Sequence, residues 1–156
     1  MIRVWATDRT VSGAPPYGVR AAGGELPAST VGEMAMKVND IYINITSEDP
    51  QGLLAFYRDK VGLEPDPTKG EGALKLNAGT TLGFDGHSET HGKSKEPSRW
   101  LLDLFVDDVK GERERLEANG VPFIRKEGRQ EWGGIISTFV DPDGNYGQLI
   151  SVEQPA

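Results

Sequence analysis

From Val38 onward, apolar and polar residues alternate strictly: Ile41, Ile43 and Ile45 are interleaved with Asp40, Tyr42 and Asn44. That period of two belongs to a strand with one apolar face. Ser47-Glu48-Asp49-Pro50 then supplies capping side chains and a proline suited to a first helical turn. Leu53, Leu54, Phe56, Tyr57 and Val61 follow at helical spacing until Gly62, which predicts an amphipathic helix of about three turns. Leu63 to Pro65, Gly72 to Asn77 and Thr80 to Asp85 are short strand candidates, separated by Pro, Gly and Asn-Ala-Gly turns. The first half reads β-α-β-β-β.

Residues 86 to 98 are polar and read as a surface linker, with His87 and His91 expected as solvated loop side chains. The same order then begins again. Leu102, Leu104 and Val106 alternate with Leu101, Asp103 and Phe105, and Asp107-Asp108 precede a helix carrying Val109 and Leu116 that ends at Asn119-Gly120. Val121 to Lys126, Gly133 to Val140 and Asn145 to Val152 complete a second β-α-β-β-β unit. Between the last two strands, Asp141-Pro142-Asp143-Gly144-Asn145 has the residues of a tight turn, with a positive φ available at Gly144. The chain is therefore an internal duplication of about fifty residues.

Each half offers one helix for one face of a four-stranded sheet, so the opposite face must find other cover. If the two uncovered faces curl toward each other they enclose a groove. Strand parity sends Asp40, Tyr42, Asn44, Lys75, Asn77, Thr81 and Gly83 to that face in the first half. It sends Leu101, Asp103, Phe105, Tyr146 and Gln148 there in the second. A plain core face would be aliphatic throughout; this mixture of aromatic, amide and charged groups predicts a ligand site. Trp100 and Trp132 stand at the edges of the second unit, where an indole can stack on a flat or cationic ligand.

Residues 1–36, rich in Gly and Pro without a sustained apolar period, read as an extension outside the core. Residues 37–152 form the folded domain, divided into 37–86, a linker 87–98, and 99–152. The net charge of -7 argues against nucleic acid and anionic lipid as partners. No apolar run is long enough for a membrane span, no secretory leader pattern is present, and the expected location is the cytoplasm. Zero cysteines exclude disulfides, thiolate chemistry and Cys-type metal sites.

Leu54 to Leu63, Phe105-Val106-Asp107-Asp108-Val109, Leu116 to Val121 and the Asp141–Asn145 turn together resemble the glyoxalase, bleomycin-resistance and ring-cleaving dioxygenase superfamily. The resemblance covers residues 38 to 152. It implies an α+β fold of tandem βαβββ modules, a homodimer, and a site on the concave sheet face. Metal-dependent members place His, Gln or Glu at four inward positions, which fall here at Asp40, Gly83, Leu101 and Gln148. A glycine and a leucine remove half of such an octahedral set, so no metal or other cofactor is expected. The favoured reading is a metal-free binder of the bleomycin-resistance type. It would hold a neutral or cationic small molecule among Asp40, Tyr42, Asp103, Phe105, Trp132, Tyr146 and Gln148. The alternative is an enzyme of the same superfamily, a lyase, isomerase or dioxygenase. It would be metal-dependent, or use Asp40 or Asp103 as a base with a pKa raised by partial burial.

Overall fold

The computed structural model describes residue 36 and residues 38–152; the extension expected at 1–36 falls, apart from Met36, outside the described residues. The predicted order of elements is observed. Strand β1 (Ile41–Thr46) leads to helix α1 (Pro50–Ala55), which continues as a π-helical segment Phe56–Val61. Strands β2 (Glu64–Pro65), β3 (Leu74–Asn77) and β4 (Thr80–Asp85) complete the first module. A 3-10 turn at Pro97–Arg99 precedes β5 (Leu101–Phe105), α2 (Val109–Ala118), β6 (Phe123–Arg129), β7 (Ile135–Val140) and β8 (Tyr146–Ser151).

The two modules repeat each other in topology. Their sheets have the orders β1-β4-β3-β2 and β5-β8-β7-β6, and in each the first strand pairs in parallel with the last. The helix caps repeat as well. Asp49 accepts from Gly52 N at 2.9 Å and Asp108 from Gly111 N at 2.9 Å, each filling a vacant N–H of a first turn. A Cβ at Gly52 or Gly111 would collide with that capping carboxylate. Gly144 takes φ 81° in the last hairpin, the left-handed conformation expected from the Asp-Pro-Asp-Gly-Asn turn.

One core joins the modules. It unites Leu53, Phe56 and Tyr57 of the first helix, Leu74, Leu82 and Phe84 of the first sheet, and Leu102, Phe139 and Leu149 of the second, together with Val109 and Leu116 of α2. Phe56 lies 6.4 Å from Phe139, while Tyr57 stacks on Phe84 at 5.4 Å, so the first helix touches both sheets. At its C-terminal end, Arg115 Nη2 donates to Val61 O at 2.9 Å and Asn119 Nδ2 to Lys60 O at 3.1 Å, tying the two helices together. The helices therefore lie between the sheets, and the uncovered faces point away from each other. Sharing the helices buries apolar surface of both sheets.

Two smaller expectations also change. Ile41 was predicted to pack under the helix but is 50% exposed, because it begins an edge strand; only Ile43 and Ile45 reach the core. The 87–98 segment is held at several points rather than being a plain linker. Thr90 Oγ1 meets Thr46 Oγ1 at 2.8 Å, Gly92 N donates to Glu48 Oε2 at 2.8 Å, and Ser94 N donates to Asp143 O at 2.8 Å. His91, expected as a solvated loop histidine, sits 3.3 Å from Glu48 Oε1 while remaining exposed. No helix among the described residues is long and apolar enough to cross a membrane.

Candidate functional site

The outer face of the first sheet is built by alternation on β1 and β4. Leu82 and Phe84 enter the core, so Thr81, Gly83 and Asp85 turn outward beside Tyr42 and Asn44. Gly83 has a local reason: the Tyr42 phenol lies across it, and a Cβ at position 83 would overlap the Tyr42 hydroxyl. Asn44 Nδ2 donates to Asp85 Oδ2 at 2.9 Å along the same face. At its other end, the loop after β2 folds over the sheet. Asp66, 6% exposed, accepts from Thr68 N, Thr68 Oγ1 and Thr81 Oγ1 at 3.1, 2.6 and 2.9 Å, and these donors hold its carboxyl below the usual range.

Lys69 reaches from this loop to an ion pair with Asp40. The Lys69 ammonium, helped by the Ile41 N–H, lowers the Asp40 carboxyl from its ordinary value. The expected raised pKa at Asp40 is thereby corrected. Lys69 favours the charged carboxylate, the opposite of what a base poised near neutrality needs.

On the second sheet, Leu101, Asp103 and Phe105 align with Tyr146, Gln148 and Ile150, which align in turn with Val140, Thr138 and Ile136. Gln148 Nε2 donates to Thr138 Oγ1 at 3.4 Å across this face. Ile150 and Thr138 are buried, whereas Phe105 and Leu101 stand exposed at the edge. The Trp132 ring lies against Gly134 within the β6–β7 turn, where a Cβ at 134 would overlap the indole.

The structure thus divides the predicted site residues. Asp40 and Tyr42 belong to the outer face of the first sheet; Asp103, Phe105, Tyr146 and Gln148 belong to that of the second, with Trp132 in a turn at its end. Thr81, Asp66 and Lys69 on the first face, and Thr138 and Arg125 on the second, join these faces without having been predicted as ligand-binding. Thr138 is in register with Gln148, but antiparallel register between residues ten apart is not legible in sequence.

The four positions that would hold a family metal do not form a donor set. Asp40 is ion-paired, Gly83 lies under Tyr42, Leu101 has no donor, and Gln148 is bonded to Thr138. Among the described residues no group of three or more His, Asp or Glu side chains is placed to hold a metal ion.

Between the sheets, at the end flanked by edge strands β1 and β5, a cleft of about 630 Å³ opens, lined chiefly by Ile43, Leu76, Leu102, Leu104, Phe105 and Leu149. Ile41, Trp100 and Phe105 are exposed around the same edges.

Residues 41–149 match the sequence model of the Glyoxalase/Bleomycin resistance protein/Dioxygenase superfamily. The chain belongs to this superfamily. Solved members share the fold. A glyoxalase/bleomycin resistance protein/dioxygenase family enzyme from Burkholderia phytofirmans PsJN is 22% identical, with TM-score 0.58, over 72% of this chain and 97% of the other. A superfamily member from Sphaerobacter thermophilus DSM 20745 is 20% identical, with TM-score 0.58, over 75% and 99%. A glyoxalase/bleomycin resistance protein from Catenulispora acidiphila DSM 44928 is 23% identical, with TM-score 0.55, over 73% and 98%. None of the curated proteins matches the chain. At these identities the solved glyoxalase-superfamily structures establish the α+β fold of tandem modules and leave the ligand open.

Proposed function

We propose that this superfamily member is a metal-free small-molecule binder of the bleomycin-resistance type, holding a neutral or cationic ligand on its outer sheet faces. The observation that carries the reading is the packing of Tyr42 over Gly83. An aromatic ring fills the space that a metal ligand would need, and at 48% exposure it presents a flat surface. Stacking on such a ring rewards planar ligands, and cations add attraction to the ring face.

A second copy of the chain completes the site in this reading. Edge strands β1 and β5 each pair on one side only, and exposed Ile41, Trp100 and Phe105 lie beside them. Unpaired edges and apolar patches of this kind favour association. A homodimer that covers this end would set the first sheet of one copy beside the second sheet of the other.

Titration with planar aromatic cations, followed through Trp100 and Trp132 fluorescence, tests the binder. Metal analysis of protein purified without chelator tests the absence of metal, and one tightly held divalent ion per chain would overturn the reading. Sedimentation equilibrium tests the dimer. A competing reading is an enzyme of the same superfamily with Asp103 as base. It is favoured by one observation, that an Asp103 carboxylate oxygen is sealed from solvent. Turnover of small α-keto compounds that disappears in Asp103→Asn would establish it.

A further inference from the structure

We propose that Asn119–Gly120 is a deamidation site held closed by the contact between the two helices, and that its conversion to aspartate or isoaspartate unlatches them for good. The site stands at the C-terminal end of α2 and does not depend on which ligand the sheet faces hold.

Sequence supplies the reactivity. Asn119 is the only asparagine in the chain followed by glycine. In such a pair the backbone nitrogen of the glycine attacks the side-chain carbonyl carbon of the asparagine, because no Cβ on the following residue crowds that nitrogen. The bond from Gly120 N to Asn119 Cγ forms, the Cγ–Nδ2 bond breaks, and ammonia leaves with the proton given up by Gly120 N. Water then opens the five-membered imide on either side, giving aspartate or, with one more methylene in the main chain, isoaspartate. Both products carry a negative charge where the amide had none. Asn119 is exposed, so water reaches it.

Structure supplies the restraint. Asn119 caps α2 with φ -84° and ψ 4°. At that ψ the Gly120 nitrogen eclipses the Asn119 backbone nitrogen, whereas ring closure needs it to eclipse Cβ, a third of a turn away. The rotation is opposed at both reacting groups. Gly120 N donates to Glu117 O at 2.9 Å, and Asn119 Nδ2 donates across to Lys60 O of the first helical segment at 3.1 Å. Gly120 holds φ 78°, and buried Val121 donates to Leu116 O at 3.0 Å, so the turn that ends α2 must open before the ring forms. Conversion then prevents the contact from re-forming. An ionised carboxylate only accepts, so Lys60 O loses its donor and faces another negative oxygen. The negative end of α2 disfavours the same carboxylate. The Lys60 ammonium, whose Nζ stands 3.7 Å from where a Gly120 Cβ would lie, is left to take up the new charge. Because the two helices join the modules, the latch sits at the joint that fixes the placement of their outer faces.

The test is tryptic mapping of the intact protein during prolonged incubation at pH 8, beside a synthetic peptide of residues 116–125, the fragment trypsin releases between Arg115 and Arg125. Asn119 in the protein is expected to gain the aspartate and isoaspartate forms about ten- to a hundredfold more slowly than in the peptide, because only the locally opened fraction reacts. The deamidated protein, separated by anion exchange, is expected to show faster hydrogen exchange at Gly120 and Val121. Arg115→Gln removes the neighbouring bond to Val61 O and is expected to speed conversion several-fold, read in the longer fragment 114–125. Slower conversion than the expected range, or none, overturns the site. Conversion at the peptide's own rate, or an Arg115→Gln rate equal to that of the unaltered protein, overturns the restraint. Unchanged exchange in the deamidated protein overturns the unlatching. The comparison of protein with peptide needs no substitution, so it decides the matter even where Arg115→Gln fails to fold.

Discussion

Replacing Tyr57 by Phe removes one hydroxyl from the interior and nothing else. Tyr57 is 1% exposed, and its hydroxyl donates to Asp141 Oδ2 at 3.1 Å. Asp141 in turn accepts from Asn145 N at 2.8 Å and Asn145 Nδ2 at 2.9 Å, so the variant leaves it with two partners. A hydrogen bond to a charged group contributes about 1.5–3 kcal/mol, and the two surviving bonds place the loss near the lower end, about 1.5 kcal/mol. For a folded region of this size that is a drop in Tm of about 6 °C. The ring keeps its stacking on Phe84, so packing is not the cause. Burial, the largest influence, raises the Asp141 carboxyl above its ordinary value, against the Asn145 and Tyr57 donors. A carboxyl with a raised folded pKa adds stability below its unfolded value of about 3.8, and that contribution fades as pH rises through the raised value. Since Tyr57 favours the charged form, the cost of Tyr57→Phe must grow over the same rise. Chemical denaturation of the Tyr57→Phe, Asp141→Asn and double variants at pH 4 and pH 8 gives the coupling directly. A Tyr57→Phe loss below about 0.5 kcal/mol, or one equal at both pH values, refutes the reasoning.

Four further outcomes follow from the packing and hydrogen bonding. Gly147→Ala should cost about 1–3 kcal/mol or prevent folding, because its Cβ would enter the ring of fully buried Phe139; denaturant melts of the purified variant measure this. Gly83→Ala places a Cβ against a ring too, but Tyr42 is half exposed and can swing away, so the midpoint should move far less while binding of planar cations weakens. Leu82→Ala, at a fully buried position, should cost about 2–5 kcal/mol by the same melts. Thr81→Val removes a donor to Asp66, and carbon-13 NMR titration should find the Asp66 carboxyl moved upward toward its ordinary value; the stability that Asp66 lends above its unfolded pKa would then be lost at a higher pH on acidification.

Much of this fold was written in local patterns. The alternation around Ile43 and Leu104, the Asp caps, the glycine after each helix and the Asp-Pro-Asp-Gly-Asn turn all act within a few residues, and they place the elements close to where they are found. What local pattern does not contain is which apolar stripes meet. That Phe56 should rest near Phe139, and that the modules share their helices, depends on contacts more than eighty residues apart. The site was legible to the same degree. Side-chain parity put Tyr42, Asp103 and Gln148 on the uncovered faces, but placing Thr138 beside Gln148 needed the pairing of two strands. Asp40 needed the fold of a loop that brings Lys69 across the sheet.

The shared helices also bear on how the chain can be made. Tyr57 and Phe56 emerge from the ribosome long before Phe139, Asp141 and Leu149, the residues that cover them. A nascent first module would present an uncovered apolar helix face, the kind of surface that chaperones hold and that aggregation exploits. Productive folding must therefore wait for nearly the whole chain. Each half made alone would leave its share of the common core exposed.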